Sequence, residues 1–299
     1  MGVISSEKYI LTLKSLANRR VVAVFFLGFA SGLPLALTGG TLQAWMAVEG
    51  VDLKTIGLFS LVGLPYVFKF FWAPLLDRYA LPFLGRRRGW ILGTQLALMV
   101  LIVMLGFTSP KDTPLLVALI ALILTFTSAS QDIVIDAYRT DVLREKERGL
   151  GAAVSVTGYR IAMLASGALA LILAGPLGWR ITYLLIAGRM LIGTMATVFG
   201  PEPEETVRPP ESLKEAISGP LTEFFSRPAA WAFLALIILY KIGDAFAGSL
   251  TTAFLIRGPG FSIGEVGAIN KGLGLIATIV GALYGGVMLA RLGLYRSLM

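Results

Sequence analysis

The chain has 299 residues, of which 56% are apolar and 15% charged, with a net charge of +8 and a mean hydropathy of +0.78. Soluble domains hold about 45–50% apolar and about a quarter charged residues, so this composition excludes a soluble globular protein and specifies a polytopic membrane protein. Cysteine and histidine are both absent, which excludes disulfides, thiol catalysis and histidine-based metal sites, and leaves carboxylates as the only carriers for a proton inside the membrane.

The first twenty residues, MGVISSEKYILTLKSLANRR, lack the apolar core of a signal peptide, so the first span is read as the insertion signal. Eight apolar segments follow, at 21–46, 55–76, 90–107, 114–138, 150–174, 181–200, 229–256 and 263–290. Their lengths approach or exceed the ~20 residues of a membrane helix and far exceed a barrel strand of ~10, so the predicted fold is all-α. Residues 1–200 form a predicted six-helix N-terminal bundle. Residues 201–228, PEPEETVRPPESLKEAISGPLTEFFSRP, form a polar linker in which Ser212 and Glu215 make a capping-box pattern that opens a short interfacial helix. Residues 229–299 begin a second bundle.

That second bundle echoes the first. VDLKTIG opens the second span and FSIGEVG the eighth, pairing Asp52 with Ser262, Ile56 with Val266 and Gly57 with Gly267. Two six-span repeats are therefore expected, with the chain reaching two spans into the second, as in a truncated chain, a fragment or an interrupted gene. Lysine and arginine segregate as well. The N-terminus, the 78–88 loop, the 139–148 loop, the linker and the C-terminus are rich in them, whereas the intervening loops hold only Lys54, Lys111, Arg180 and Arg257. The positive-inside rule then puts both ends of the chain in the cytoplasm and makes the +8 charge a matter of topology rather than nucleic-acid binding.

WAPLLDRYALPFLGRRRGW, residues 72–90, resembles the cytoplasmic signature between spans two and three of the major facilitator superfamily: Ala73 at the small position, then Asp77 and Arg78, then Gly85 with Arg86, Arg87 and Arg88 after a spacer five residues longer than usual. Together with GFASGLPLALTGGTLQAW, QDIVIDAYRTDVL and LYKIGDAFAGSLTTAFL, it is similar to the AmpG-type muropeptide permeases of Gram-negative inner membranes, and more distantly to the eukaryotic acetyl-coenzyme A transporters. The resemblance implies a major facilitator fold with no cofactor. It further implies import of anhydro-muropeptides by proton symport, peptidoglycan recycling and a link to β-lactamase induction. Its partners would be the muropeptide, protons and the bilayer. It also implies that Asp77, Arg78, Gly85, Arg86, Arg87 and Arg88, joined by Asp136 and Arg139, form a cytoplasmic latch between the two halves. Alternatives are a permease for another organic anion such as an acyl-coenzyme A compound, an inactive fragment, or an intramembrane Ser/Asp hydrolase. Against the enzyme reading stand the missing histidine and cysteine and the lack of a close Ser–Lys pair.

Charges inside spans are expensive and therefore informative. Asp132, Asp136 and Arg139 are spaced to share one helix face, the two aspartates ~6 Å apart along the axis. Asp136 is expected to pair with Arg139 or a latch arginine. Asp132, one turn deeper, is the candidate proton carrier, with Asp244 as the second. Gln131 can donate and accept hydrogen bonds, which suits a sugar or amide. Arg160 sits near mid-depth and cannot readily neutralise, so it should pair with Asp132 or with an anionic solute. Lys241, Asn270 and Lys271 complete the candidate substrate-binding set, because muropeptides carry several carboxylates. Lys241 and Asp244 are also close enough in sequence to pair locally. Lys69 can snorkel to its interface, and Arg189 has no assigned partner. Gly28 with Gly32, and Gly281 with Gly285, make GxxxG pairs that allow close helix packing, while Pro34 and Pro65 interrupt their spans.

Overall fold

The computed structural model describes residues 18–203, 210–257 and 274–298, and among them every regular element is helical. The first span runs Arg19–Val48. It comprises α1 (Arg19–Ala36), a wide turn Leu37–Thr41 and α2 (Leu42–Val48). Its break follows from two residues. Pro34 lacks an N–H, and its carbonyl accepts from Thr38 Oγ1 at 2.9 Å, while Gly39 leaves helical geometry at φ −91° and ψ −108°. The second span is more fragmented: α3 (Leu53–Leu58), α4 (Leu64–Phe68) and α5 (Ala73–Arg78) are joined by tight turns, with Pro65 and Pro74 opening the second and third pieces.

Helices α6 (Arg86–Gly106) and α7 (Pro114–Val142) are continuous third and fourth spans. The fifth and sixth are carried by α8 (Arg148–Ser166) and α9 (Ala168–Phe199). The break between the two predicted apolar segments falls inside α9 at Gly178, whose φ of 76° and ψ of 161° lie in a region essentially confined to glycine. In the linker, α10 (Leu213–Ser226) begins where the capping-box pattern places it. Ser212 Oγ accepts from the Glu215 amide at 3.1 Å, but the Glu215 carboxylate turns back to the Glu211 amide at 2.7 Å, one residue earlier than the motif predicts. A bend of 100° leads into α11 (Ala230–Arg257), and α12 (Gly274–Leu298) follows.

The chain divides into two compact units, one holding the first six spans with the residues from Ala282 onward, the other holding Pro210–Gly281. Within the first unit α1 packs most extensively on α8, and glycine makes that possible. A β-carbon at Gly28 or Gly32 would run into the carbonyls of Ser155 or Tyr159, and one at Gly158 into that of Phe25. The second predicted glycine pair does not behave this way. A side chain at Gly281 or Gly285 would meet open space among the described residues; the close approach is at Gly286, where an added β-carbon would stand 2.6 Å from Ala153 Cβ and 3.2 Å from the Gly149 carbonyl.

Two apolar clusters fill the bundle. One gathers Leu33, Trp45, Leu98, Leu124 and Tyr183, the other Leu27, Ile91, Val134, Tyr138 and Leu150. Leu96, Val100 and Met104 on α6 and Leu115, Leu119 and Ile123 on α7 point outward and are exposed. An apolar exterior of this extent belongs in lipid, and five helices among the described residues are long and apolar enough to cross a bilayer.

Candidate functional site

Helix α7 carries a ladder of polar side chains down its lower half. Asp132 accepts a short hydrogen bond from Ser31 Oγ on α1. One turn above it Ser128 Oγ accepts from the Tyr66 hydroxyl at 2.9 Å. Lys69, Asp136, Tyr66 and Tyr159 all lie within electrostatic reach of the Asp132 carboxylate. Spans one, two, four and five therefore converge on this acid. Ser31 and Tyr66 are absent from the sequence-based set, because a hydroxyl in an apolar helix carries no signal until its partner is known.

Gln131 is placed differently. It is 0% exposed, and neither Oε1 nor Nε2 has a hydrogen-bond partner. It follows Leu124 and Ser128, and precedes Ile135 and Tyr138, on the inward-packed face of α7, about 100° around the helix from Asp132.

The expected pair between Arg160 and Asp132 does not form. Asp132 is engaged by Ser31, and Arg160 makes no ion pair among the described residues. Its Nε is buried without a partner, and its Nη1 reaches only the Met163 sulfur at 3.9 Å. This is a fixed positive charge within a span with no ion-pair partner among the described residues. Arg189 is not in that position. Its Nη1 donates to the Ala165 carbonyl at 3.3 Å, while Thr41 Oγ1 donates to the Ser166 carbonyl at 2.7 Å. Those carbonyls are orphaned where α8 ends at Gly167, so Arg189 and Thr41 together cap a helix C-terminus.

Among the remaining candidates, Lys241 is exposed on α11. Asp244 lies in that helix with its side chain outside the described residues, as Asn270 and Lys271 are altogether.

The arginine-rich end is a network. Arg87 donates to Asp77 at 2.5 Å and to Asp141 at 3.1 Å, and Arg86 stands 3.9 Å from the same Asp141 carboxylate. Arg88, 8% exposed, donates to the carbonyls of Thr197 and Val198 at 2.8 and 2.6 Å and to Glu202 at 2.8 Å. Arg19 takes the next carbonyl, Phe199, at 2.7 Å, and the Tyr138 hydroxyl donates to Pro201 at 2.5 Å. The C-terminus of α9 is thus held by two arginines and a tyrosine, the arrangement its exposed carbonyls and dipole favour. Gly85, at φ 72° and ψ 178°, makes the turn that aims this Arg triplet. Asp136 pairs with Arg139 at 3.0 Å, as one expected alternative had it, in a separate local pair. Arg78 has no carboxylate partner among the described residues and lies 6.0 Å from the Tyr79 ring centre. Asp141 and Glu202, which the sequence reading left out, supply the acids that the triplet engages besides Asp77.

Comparison with known proteins agrees with this architecture. The profile of the Major Facilitator Superfamily matches residues 24–299. The anhydromuropeptide permease of Escherichia coli K12 is 59% identical over 281 residues, covering 94% of this chain and 57% of that protein, and the O157:H7 form matches equally. A Haemophilus influenzae protein without an assigned role is 40% identical over 286 residues, covering 94% of this chain and 67% of its own length. The chain spans little more than half the length of the Escherichia coli relatives. With a matching profile over nearly all its residues, a helical bundle and the Asp77–Arg87 signature pair in place, the chain belongs to the major facilitator superfamily, in its AmpG-type branch.

Proposed function

We infer that this chain serves an inner-membrane secondary transporter that imports anhydro-muropeptides by proton symport, for peptidoglycan recycling, with the N-terminus in the cytoplasm. The observation that carries the reading is Arg160, a half-buried arginine in the fifth span whose Nε is buried without a hydrogen-bond partner and which has no ion pair among the described residues. A cation left unpaired at such a depth is costly unless the solute supplies the counter-charge, and a muropeptide brings carboxylates. Lys241 and Lys271 are proposed to add to that positive lining, with Gln131 and Asn270 as hydrogen-bonding groups. The Escherichia coli relative's name, anhydromuropeptide permease, points to the same solute class.

Coupling is assigned to Asp132, with Asp244 in the second bundle. The chain has no histidine, so an intramembrane proton must bind a carboxylate. Asp132 has the setting for it: one hydroxyl donor, Ser31, and no formal ion-pair partner among the described residues. Protonation cancels its charge and changes what Ser31 and Lys69 face, and a switch of that kind can link proton binding to opening toward one side. A latch of Asp77, Arg86, Arg87 and Arg88 at the cytoplasmic face would favour the outward-open arrangement.

The test is uptake of labelled GlcNAc-anhydroMurNAc-tripeptide into membrane vesicles carrying the full-length protein. Accumulation that collapses with an uncoupler supports symport. Equilibration insensitive to the uncoupler removes the coupling claim, and cleavage of the solute without accumulation supports the hydrolase reading instead.

A further inference from the structure

A groove of about 700 Å³ opens on the outside of the first unit between spans two, three and four. Trp72 and Tyr79 from the second span, Trp90 from α6 and Phe126 from α7 form its walls, and Gly93 and Ala97 form its floor. The hollow exists because those two α6 positions carry almost no side chain where the neighbouring helices carry rings. Trp90 lies one turn into α6 from Arg86 and Ala97 about two turns further, so the groove extends ~16 Å inward from the arginine-rich interface, about half of a ~30 Å hydrocarbon core. It is one leaflet deep.

The lining offers carbon and little else. Most of its polar atoms are already engaged: Trp72 Nε1 donates to Ser130 Oγ at 3.0 Å, Trp90 Nε1 to the Tyr79 carbonyl at 2.7 Å, Ser130 to the Phe126 carbonyl at 2.8 Å, Thr94 to the Trp90 carbonyl at 2.8 Å and Thr127 to the Ile123 carbonyl at 2.8 Å, which leaves the Tyr79 hydroxyl. A hydrophilic sugar peptide finds few hydrogen-bonding partners there, whereas a hydrocarbon chain loses little. At the interfacial end Arg78 contributes a positive charge with no carboxylate partner among the described residues. Arg78 has neither ion pair nor hydrogen bond among the described residues, and its guanidinium carbon stands 6.0 Å from the ring centre of Tyr79, a wall residue. Arg86 is held only at 3.9 Å by Asp141. An aromatic-walled, one-leaflet slot beneath an unpaired arginine matches a lipid with an anionic head.

We propose that this groove is a binding site for an anionic phospholipid of the arginine-side leaflet, one acyl chain lying over Gly93 and Ala97 between Trp72, Trp90 and Phe126, and the phosphate at Arg78. The site is separate from the polar ladder around Asp132 and does not depend on which solute is carried.

Quenching of tryptophan fluorescence by brominated acyl chains tests this on the full-length protein in phosphatidylcholine vesicles. Dibrominated phosphatidylglycerol and dibrominated phosphatidylcholine are titrated separately at matched mole fractions. In the wild type the anionic lipid should quench with about fivefold higher apparent affinity, the scale set by one arginine near an anionic headgroup. Arg78→Gln should abolish that preference while leaving the quenching amplitude. Gly93→Leu, which fills the floor beside Leu81, should reduce the amplitude for both lipids; Ala97→Leu repeats the measurement should that variant fail to insert. Equal affinity for the two headgroups in the wild type, or an amplitude unchanged in both floor variants, overturns the proposal, since the groove would then hold bulk lipid or be covered by protein.

Discussion

Asp132 and Arg160 make opposite arrangements with their surroundings, and the difference sets what each substitution should do. Asp132 has a hydroxyl donor and several polar neighbours, so Asp132→Asn retains the hydrogen bond from Ser31 and the local packing. Membrane insertion should be unchanged while uncoupler-sensitive accumulation in vesicles is lost; accumulation at the wild-type level would remove Asp132 from the coupling step. Arg160 contributes no ion pair to the fold among the described residues, so Arg160→Ala should weaken solute binding, read as a rise in the half-saturation concentration by tenfold or so for the ~1.4 kcal/mol of one lost charge contact, with little change in membrane abundance. Disappearance of the variant from the membrane would mark the guanidinium as structural. Arg88 is the contrasting case. It holds two helix-end carbonyls and Glu202, so Arg88→Ala should lower stability in detergent by about 2 kcal/mol, the range for hydrogen bonds to a charged group. Denaturation against the wild type measures it.

At the level of helices, glycine divides into positions that are packed and positions that are free. Gly158→Ala forces a β-carbon into the Phe25 carbonyl and should cost about 1–3 kcal/mol as α1 and α8 are pushed apart. Gly57→Ala meets nothing within α3 and should stabilise by up to about 1 kcal/mol through helix propensity alone. Paired melting curves in one detergent should show shifts of opposite sign. The start of α3 adds a pH signature. Hydrogen bonds from the Thr55 hydroxyl and then the Thr55 amide hold the Asp52 carboxyl below its ordinary range. A lowered value means that the cap's contribution is complete above the unfolded carboxylate pKa, near 4, and is lost as pH falls through the lower folded value. Asp52→Asn keeps an acceptor that does not titrate and should therefore erase this acid-limb step from the melting profile. Much of this level was legible beforehand. Hydropathy located the first four spans, Asp52 and Ser212 announced their helix starts, and Gly28 with Gly32 announced a close pair. What escaped was register and partnership. Gly286 rather than Gly285 meets α8, and Arg189 answers a helix end created by Gly167, a break that a continuous apolar run from 150 to 174 conceals. Asp141 and Glu202 looked like ordinary loop acids because nothing local to either points at an arginine more than fifty residues away.

For the molecule as a whole, the absence of cysteine is a practical asset. A single thiol at Lys146→Cys should react with an impermeant maleimide only from the cytoplasmic side, and one at Lys111→Cys only from the opposite side, in intact cells against inverted vesicles. Reactivity of both from one side would refute the orientation inferred from the arginine distribution. The tethering of α9's end has a mechanical corollary. The peptide leaving the sixth span is fastened at five points, Thr197, Val198, Phe199, Pro201 and Glu202, by side chains from three other parts of the same bundle. A hinge between the sixth span and the linker is therefore expected only after Glu202, because up to that residue the peptide is bound to its own bundle and cannot leave it without breaking those contacts.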